Sequence, residues 1–268
     1  MGADTKALRT RIRSVDSTLH LTTAMGLVAS SKIRHATDVM NKSRQYAKAV
    51  NNVISLLTSC NECKKSPYMR EYKDGKTRIV IIAGDRGLAG GYNANVFRLA
   101  KEYTDAEFIP IGKRACERYG SGYNSAEYFT LENGAELSKK LCSEFAEGKY
   151  DRLGVIYTKY VSVMTQEASI EWILPLTRSE KKNNAGTVFE PDELTILDTA
   201  VPEYIHGRLM RFIRESYASE VAARRMAMDS AGKNAQTMID TLQLEYNRAR
   251  QGAITQEITE IVAGSDAE

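Results

Sequence analysis

A chain of 268 residues with 43% hydrophobic content can bury one or two modest cores. No apolar run approaches the roughly 18 residues of a membrane-spanning helix. Net charge is a mild +3, and four cysteines are too few for a disulfide framework at this length. The opening MGADTKALRT lacks an apolar signal core, and Lys6 stands where a myristoylation signal needs Ser or Thr. The expectation is a mature intracellular chain.

The first predicted element is one long helix from about Asp4 to Leu57. Its apolar seam steps by three and four through Leu8, Ile12, Val15, Leu19, Thr22, Met25 or Gly26, Ala29, Ile33, Ala36 and Met40 to Leu57. A stripe of about seven such repeats predicts a coiled coil. Gly26 in mid-helix costs up to ~1 kcal/mol in propensity. Residues 1–60 carry nine Lys and Arg against three Asp and Glu, whereas residues 205–268 carry eight against nine. A basic helix suits an acidic protein, nucleic acid or a membrane surface, or is simply a solvated face. Cys60 and Cys63 form a C-x-x-C, yet His20, His35 and His206 are scattered and the pair follows a helix rather than a strand. Reduced thiols at a helix end are the better reading.

Between about 76 and 176 the period changes. Strands are predicted at Thr77–Ala83, Glu107–Gly112, Arg152–Thr158 and Ser169–Leu174, with helices from about Asn93, through Tyr119, and from Gly134 to Glu147. This alternation predicts a Rossmann-like, mostly parallel sheet, flanked by polar linkers at Lys64–Gly75 and Thr177–Thr187. The turn Gly84–Gly91 sits where a phosphate loop belongs, but neither G-x-G-x-x-G nor G-x-x-x-x-G-K-[ST] is present. Asp85 would repel a phosphate unless paired with Arg86, so a tight strand–helix turn is the better reading. No nucleophile, base or metal-ligand constellation stands out, so no catalytic residue, metal site or cofactor is expected.

A second long helix is predicted from Pro202, read as its first residue, to about Val262. The seam runs through Ile205, Leu209, Phe212, Ser216, Ser219, Ala223, Met226, Ser230, Asn234, Thr237, Thr241, Leu244, Arg248, Gly252, Thr255, Ile258 and Val262. Small residues bury little area, so a partner is expected to sheathe part of this rod. At 1.5 Å per residue each helix would span roughly 80 Å. Nearly half the chain in rods argues for a mechanical or scaffolding role over a pocket enzyme. The expected organisation is an N-terminal coiled-coil helix (1–60), a central α/β domain (76–176) and a C-terminal helix (202–263) pairing with the first.

Three stretches together resemble the gamma subunits of F-type ATP synthase: Ser14–Lys32, Asp85–Asn93, and the tail through Ala222–Met228, Leu242–Gln251 and Ile254–Val262. The match is collinear and covers essentially the whole chain. The resemblance implies that the two terminal helices form a long antiparallel coiled coil inside a ring of alpha and beta subunits, a rotating shaft with no bond chemistry of its own that is turned by an ion-driven c-subunit ring. It also implies contact with the epsilon subunit, and with delta only within the whole complex. By resemblance, Met25 lies beside the beta levers, Arg224, Gln251, Thr255 and Glu257 match beta-contacting positions, and Glu190 matches a segment near the c-ring end. Ala89, Thr23, Gly26 and Arg225 depart from residues frequent in the family, and Cys60 and Cys63 do not match the chloroplast redox insertion. A peripheral place on the cytoplasmic face of a bacterial plasma membrane is expected. Competing readings are a Rossmann-type nucleotide-binding protein with helical arms and a coiled-coil nucleic-acid binder.

Overall fold

The computed structural model describes residues 2–70, 76–179 and 189–265. Parts of both expected linkers, 71–75 and 180–187, lie outside them. In chain order the elements are α1 (Gly2–Leu57), two 3-10 turns (Glu62–Lys65 and Pro67–Met69), β1 (Thr77–Ile82), α2 (Tyr92–Ala100), β2 (Glu107–Ile111), α3 (Lys113–Tyr119), α4 (Leu131–Ala146), β3 (Arg152–Tyr160), β4 (Gln166–Leu174) and α5 (Glu193–Ser265). By its contacts the chain divides into two compact units, 1–29 with 225–268, and 30–224.

In the unit 30–224 the sheet order is β2-β1-β3-β4, with β1 parallel to β2 and β3, and β4 antiparallel to β3. Strand alternation sorts side chains to two faces. Ile79 and Ile81 of β1 join Val96, Ala100 and Ala115 from α2 and α3, while Trp172 of β4 packs on the same side. Val80 and Ile82 face the larger core with Leu137, Leu141 and Phe145 of α4, Ile205, Leu209 and Phe212 of α5, and Leu57 of α1. Burying β1 on both faces explains its unbroken Ile/Val run. Gly154 faces Trp172, where a Cβ would lie 2.9 Å from the ring carbon Cζ3. Arg152 covers the same ring, 4.1 Å from its centroid.

Two helix starts differ from the sequence expectation. α4 begins at Leu131 rather than Gly134, because Thr130 and Asn133 form a reciprocal capping box. α5 begins at Glu193, so Pro202 is internal and not a helix start. Asp192 caps this earlier start, accepting from Thr195 N–H at 2.9 Å and Thr195 Oγ1 at 2.8 Å. An internal proline costs about 3 kcal/mol. Burial of Leu197, Val201, Ile205 and Leu209 along one face outweighs it, at about 1.5–3 kcal/mol per side chain.

In the other unit α1 and α5 run antiparallel. A Cβ at Gly26 would meet Met228 Cβ at 3.7 Å, and one at Gly232 would meet Thr22 and Leu19 at 3.6 and 3.8 Å. The α1 side follows the expected seam through the half-buried Leu8, Ile12, Val15 and Leu19. On α5 the expected seam is correct through Met226 but slips beyond it, from the exposed Ser230 onward. Beyond it the buried and half-buried positions include Met228, Gly232, Ala235, Ile239, Leu242, Tyr246, Ala249, Ala253 and Gln256. Asn234, Thr237, Thr241, Leu244, Arg248, Gly252, Thr255, Ile258 and Val262 are exposed instead. Both stripes advance by steps of four and three, so the difference is a single two-residue change of phase near Met228 and not a gradual drift. Among the described residues, no helix is long and apolar enough to cross a membrane.

Candidate functional site

The glycine turn after β1 is built from side chains rather than around a ligand. Gly84 N–H donates to Asn93 Oδ1 at 2.9 Å, tying the start of the turn to the first turn of α2. Asp85 faces inward. Its carboxylate accepts from Ser125 Oγ at 2.6 Å, Ala126 N–H at 2.9 Å and Glu127 N–H at 3.0 Å, and from Lys113 N–H at 3.3 Å. A carboxylate of the chain itself therefore takes the backbone amides that an anion would attract. Arg86 pairs with Glu127, at 3.6 Å, and not with Asp85.

In an open α/β sheet, ligands bind beyond the strand C-termini where the strand order reverses. Here that crevice lies between β1 and β3, and α5 fills it. Ser216 Oγ accepts from Thr158 N–H at 3.1 Å, and Ser219 Oγ donates to Thr158 O at 3.1 Å. Tyr92 OH donates to Ser216 O at 3.0 Å. Glu215 Oε1 accepts from Tyr160 N–H at 3.2 Å and from Arg44 Nη2 at 2.6 Å.

One turn further along α5, Glu220 is 2% exposed and its carboxyl group faces Gly84. Arg224 Nη2 reaches Glu220 Oε1 at 2.5 Å, while its Nε and Nη2 both donate to Gly87 O at 3.3 Å. Burial pushes the Glu220 pKa above the ordinary carboxylate value, and Arg224 only partly opposes it. Glu127 goes the other way. Burial would raise its pKa, but hydrogen bonds from Lys32 Nζ at 2.8 Å and Tyr217 OH at 2.9 Å, with the Lys32 and Arg86 charges, hold it below 4.5. Arg214 completes the group, donating to Phe129 O at 3.1 Å.

These contacts were largely invisible in the sequence. Ser216 and Ser219 read as small seam residues, and Glu215 and Glu220 look like any solvated helix charge. The basic first helix is likewise not all solvated face, since Lys32 and Arg44 bind this chain's own carboxylates.

The residues singled out from the sequence fall in both units and form no single constellation in either. Met25 is half-buried beside Gly26 on α1. Gln251, Thr255 and Glu257 are exposed on α5, off the seam, with Thr255 Oγ1 donating one turn back to Gln251 O at 2.9 Å. Glu190 is exposed just ahead of α5. Arg224, by contrast, is spent on Glu220 and Gly87. Cys63 is buried, with its thiol donating to Glu193 O at 3.4 Å, and burial pushes its pKa up to about 11. The described residues hold no cluster of three or more metal-ligating side chains.

A family model described as ATP synthase matches residues 4–267. The ATP synthase gamma chain of Geotalea uraniireducens is 35% identical, and those of Stenotrophomonas maltophilia and Moorella thermoacetica are 38% identical. Each alignment covers 99% of both chains. The fold is similar to a chain of the Euglena gracilis mitochondrial ATP synthase OSCP/F1/c-ring structure, with a TM-score of 0.71 at 16% identity, covering 100% of this chain and 95% of that one. A chain of the Tetrahymena thermophila central stalk and c-ring structure gives 0.58 at 18% identity, covering 79% and 99%.

Proposed function

Because this chain belongs to the gamma-chain family of F-type ATP synthase, we propose that it turns as the central shaft of that complex, passing ion-driven rotation of a c ring to the catalytic beta subunits. The observation that carries this reading is the end-to-end match to gamma chains, over 99% of the chain and of each relative. The physical requirement is a stiff element whose different faces meet different neighbours, so that each beta site is biased by its own contacts. A two-helix unit with a narrow seam meets it. Ile254, Ile258, Ile261 and Val262 are exposed on the described end of α5, an apolar surface suited to enclosure by other subunits.

On this reading the alpha and beta subunits surround the helix pair, and epsilon and the c ring meet the chain at the other end of the shaft, with delta present only in the whole complex. Met25, Gln251, Thr255 and Glu257 are proposed beta contacts, Arg224 lies in the same stretch of the resemblance, and Glu190 is proposed to lie toward the c ring. The chain acts by position, with bond chemistry left to the beta subunits, at the cytoplasmic face of a bacterial plasma membrane. The alternative nucleotide-binding reading loses its natural site, because Ser216, Ser219 and Glu220 of α5 occupy the crevice.

Co-expression with alpha and beta subunits, purified through a tag on beta, tests the proposal. One copy of this chain per three beta subunits, with sustained ATP hydrolysis only when it is present, is the expected result. A well-folded chain that fails to co-purify would overturn it.

A further inference from the structure

Leu88 has φ of 60°, in the left-handed region, and is 62% exposed. A bulky residue there is held against its own preference, so its surroundings must over-determine the backbone. They do. Arg224 grips the carbonyl of Gly87 immediately before it, buried Ala89 follows, and Asn93 Nδ2 donates to Arg86 O at 3.4 Å. Arg224 is in turn aimed by Glu220, and Glu220 is seated by Gly84, where a Cβ would lie 2.8 Å from the carboxyl carbon. That carboxyl group cannot retreat cheaply, because it is enclosed and bound to Arg224.

We infer that Glu220 and Arg224 are a positioning pair that carries the setting of α5 into the exposed turn Arg86–Leu88, so that the turn moves as part of the helix. The inference rests on the shaft reading for its consequence in the motor, but its geometry does not depend on it. The helix has taken the place of a ligand in the Rossmann crevice, and the pair closes that junction. Arg224 therefore serves the ring through the turn it holds rather than by reaching out. Swinging outward would strand a buried carboxylate, which is strongly unfavourable. In sequence, Gly84 and Glu220 are 136 residues apart, and neither is marked by a motif as belonging to the other.

The test uses the complex assembled with alpha and beta subunits, comparing wild type with Glu220→Gln, Arg224→Lys, Gly84→Ala and the double variant Gly84→Ala/Glu220→Asp. The readouts are amide hydrogen exchange of the peptide spanning 84–92, with the β1 peptide 77–82 as internal control, and ATP turnover. Glu220→Gln and Gly84→Ala are expected to speed exchange of the turn about tenfold, with β1 unchanged, and to lower turnover. Arg224→Lys keeps the charge but loses the forked grip, so it should fall between them and wild type. The shorter aspartate makes room for the alanine methyl while keeping the negative charge. The double variant should therefore come closer to wild type than Gly84→Ala alone, in assembly as well as exchange. A purely structural role would speed both peptides together and show no such rescue. Unchanged turn exchange and turnover in Glu220→Gln would overturn the inference. If the wild-type chain itself does not assemble, the shaft reading fails, and exchange in the free chain still decides the positioning pair.

Discussion

Arg44 of α1 and Glu215 of α5 meet at 2.6 Å, with the glutamate side chain 3% exposed and the arginine 36% exposed. The same guanidinium donates to Tyr160 O at 2.9 Å, and Tyr160 N–H donates to Glu215 at 3.2 Å. A charge on each long helix is thus satisfied at the end of one sheet strand, and the three elements are fastened at one point.

Removing only the arginine should therefore be costly. Arg44→Ala leaves a buried carboxylate without its counter-charge, and the expected loss is about 3 kcal/mol, the low end for a broken buried pair because water reaches the arginine side. Arg44→Ala combined with Glu215→Gln should recover much of it. Urea denaturation of the full chain checks both, and equal stabilities for the single and double variants would refute the pairing argument.

Gly26→Ala should stabilise the helix pair. The added methyl would sit in ordinary contact with Met228 Cβ at 3.7 Å, with no clash to offset the propensity gain of up to ~1 kcal/mol. A higher melting temperature is the expected outcome. A lower one would mean that the two backbones approach more closely than this distance.

Gly154→Ala should do the reverse. Its methyl would press on rigid ring carbons of Trp172 at 2.9 and 3.0 Å inside a sheet, an overpacking cost of about 1–3 kcal/mol. Trp172 is the sole tryptophan, so its fluorescence reports directly on the disturbance. An unshifted emission spectrum with unchanged stability would count against the packing described.

Acid should weaken the unit 30–224 through Glu127 and Glu171. Both are partly buried, yet their pKa values are held down. Glu127 is held by Lys32, Tyr217 and Arg86, and Glu171 by the Tyr157 hydroxyl, Arg211 and Arg208. A depressed folded pKa stabilises the fold above the unfolded value of 4.5, and that contribution fades as pH falls through the lower folded value. Unfolding free energy should therefore drop as pH is lowered through 4.5 and below, and Glu127→Gln should flatten part of that slope. An identical slope in the variant would remove Glu127 from the account.

Gln251 and Thr255 lie on the exposed face of α5, so replacing Gln251 by Ala should change stability by no more than about 0.5 kcal/mol. If it contacts a beta subunit, loss of a hydrogen bond worth ~1 kcal/mol should slow turnover of the assembled complex about fivefold. Wild-type turnover would exclude that contact.

The strands were legible because a sheet buried on both faces demands continuous runs such as Ile79–Ile82, and the turn at Gly84 was legible because glycine punctuates a strand. The long helices were legible as periodic stripes. The start of α5 was not, since a proline normally marks a helix beginning and only the burial of Leu197 and Val201 carries the helix back past it. Nor was the seam of α5 beyond Met226, where the stripe shifts by two residues while keeping its step of three and four.

By itself the sequence determined the alternation of strands and helices, the turn chemistry and the family, because these rest on local pattern and collinear motifs. Only the tertiary structure decided which charges are internal. Glu215 and Glu220 differ from solvated glutamates solely in what α5 meets when it enters the crevice. Arg224 is a clamp because Gly87, 137 positions away along the chain, offers it a carbonyl. Burial and partner distance are properties of folded neighbours, and no window of adjacent residues contains them.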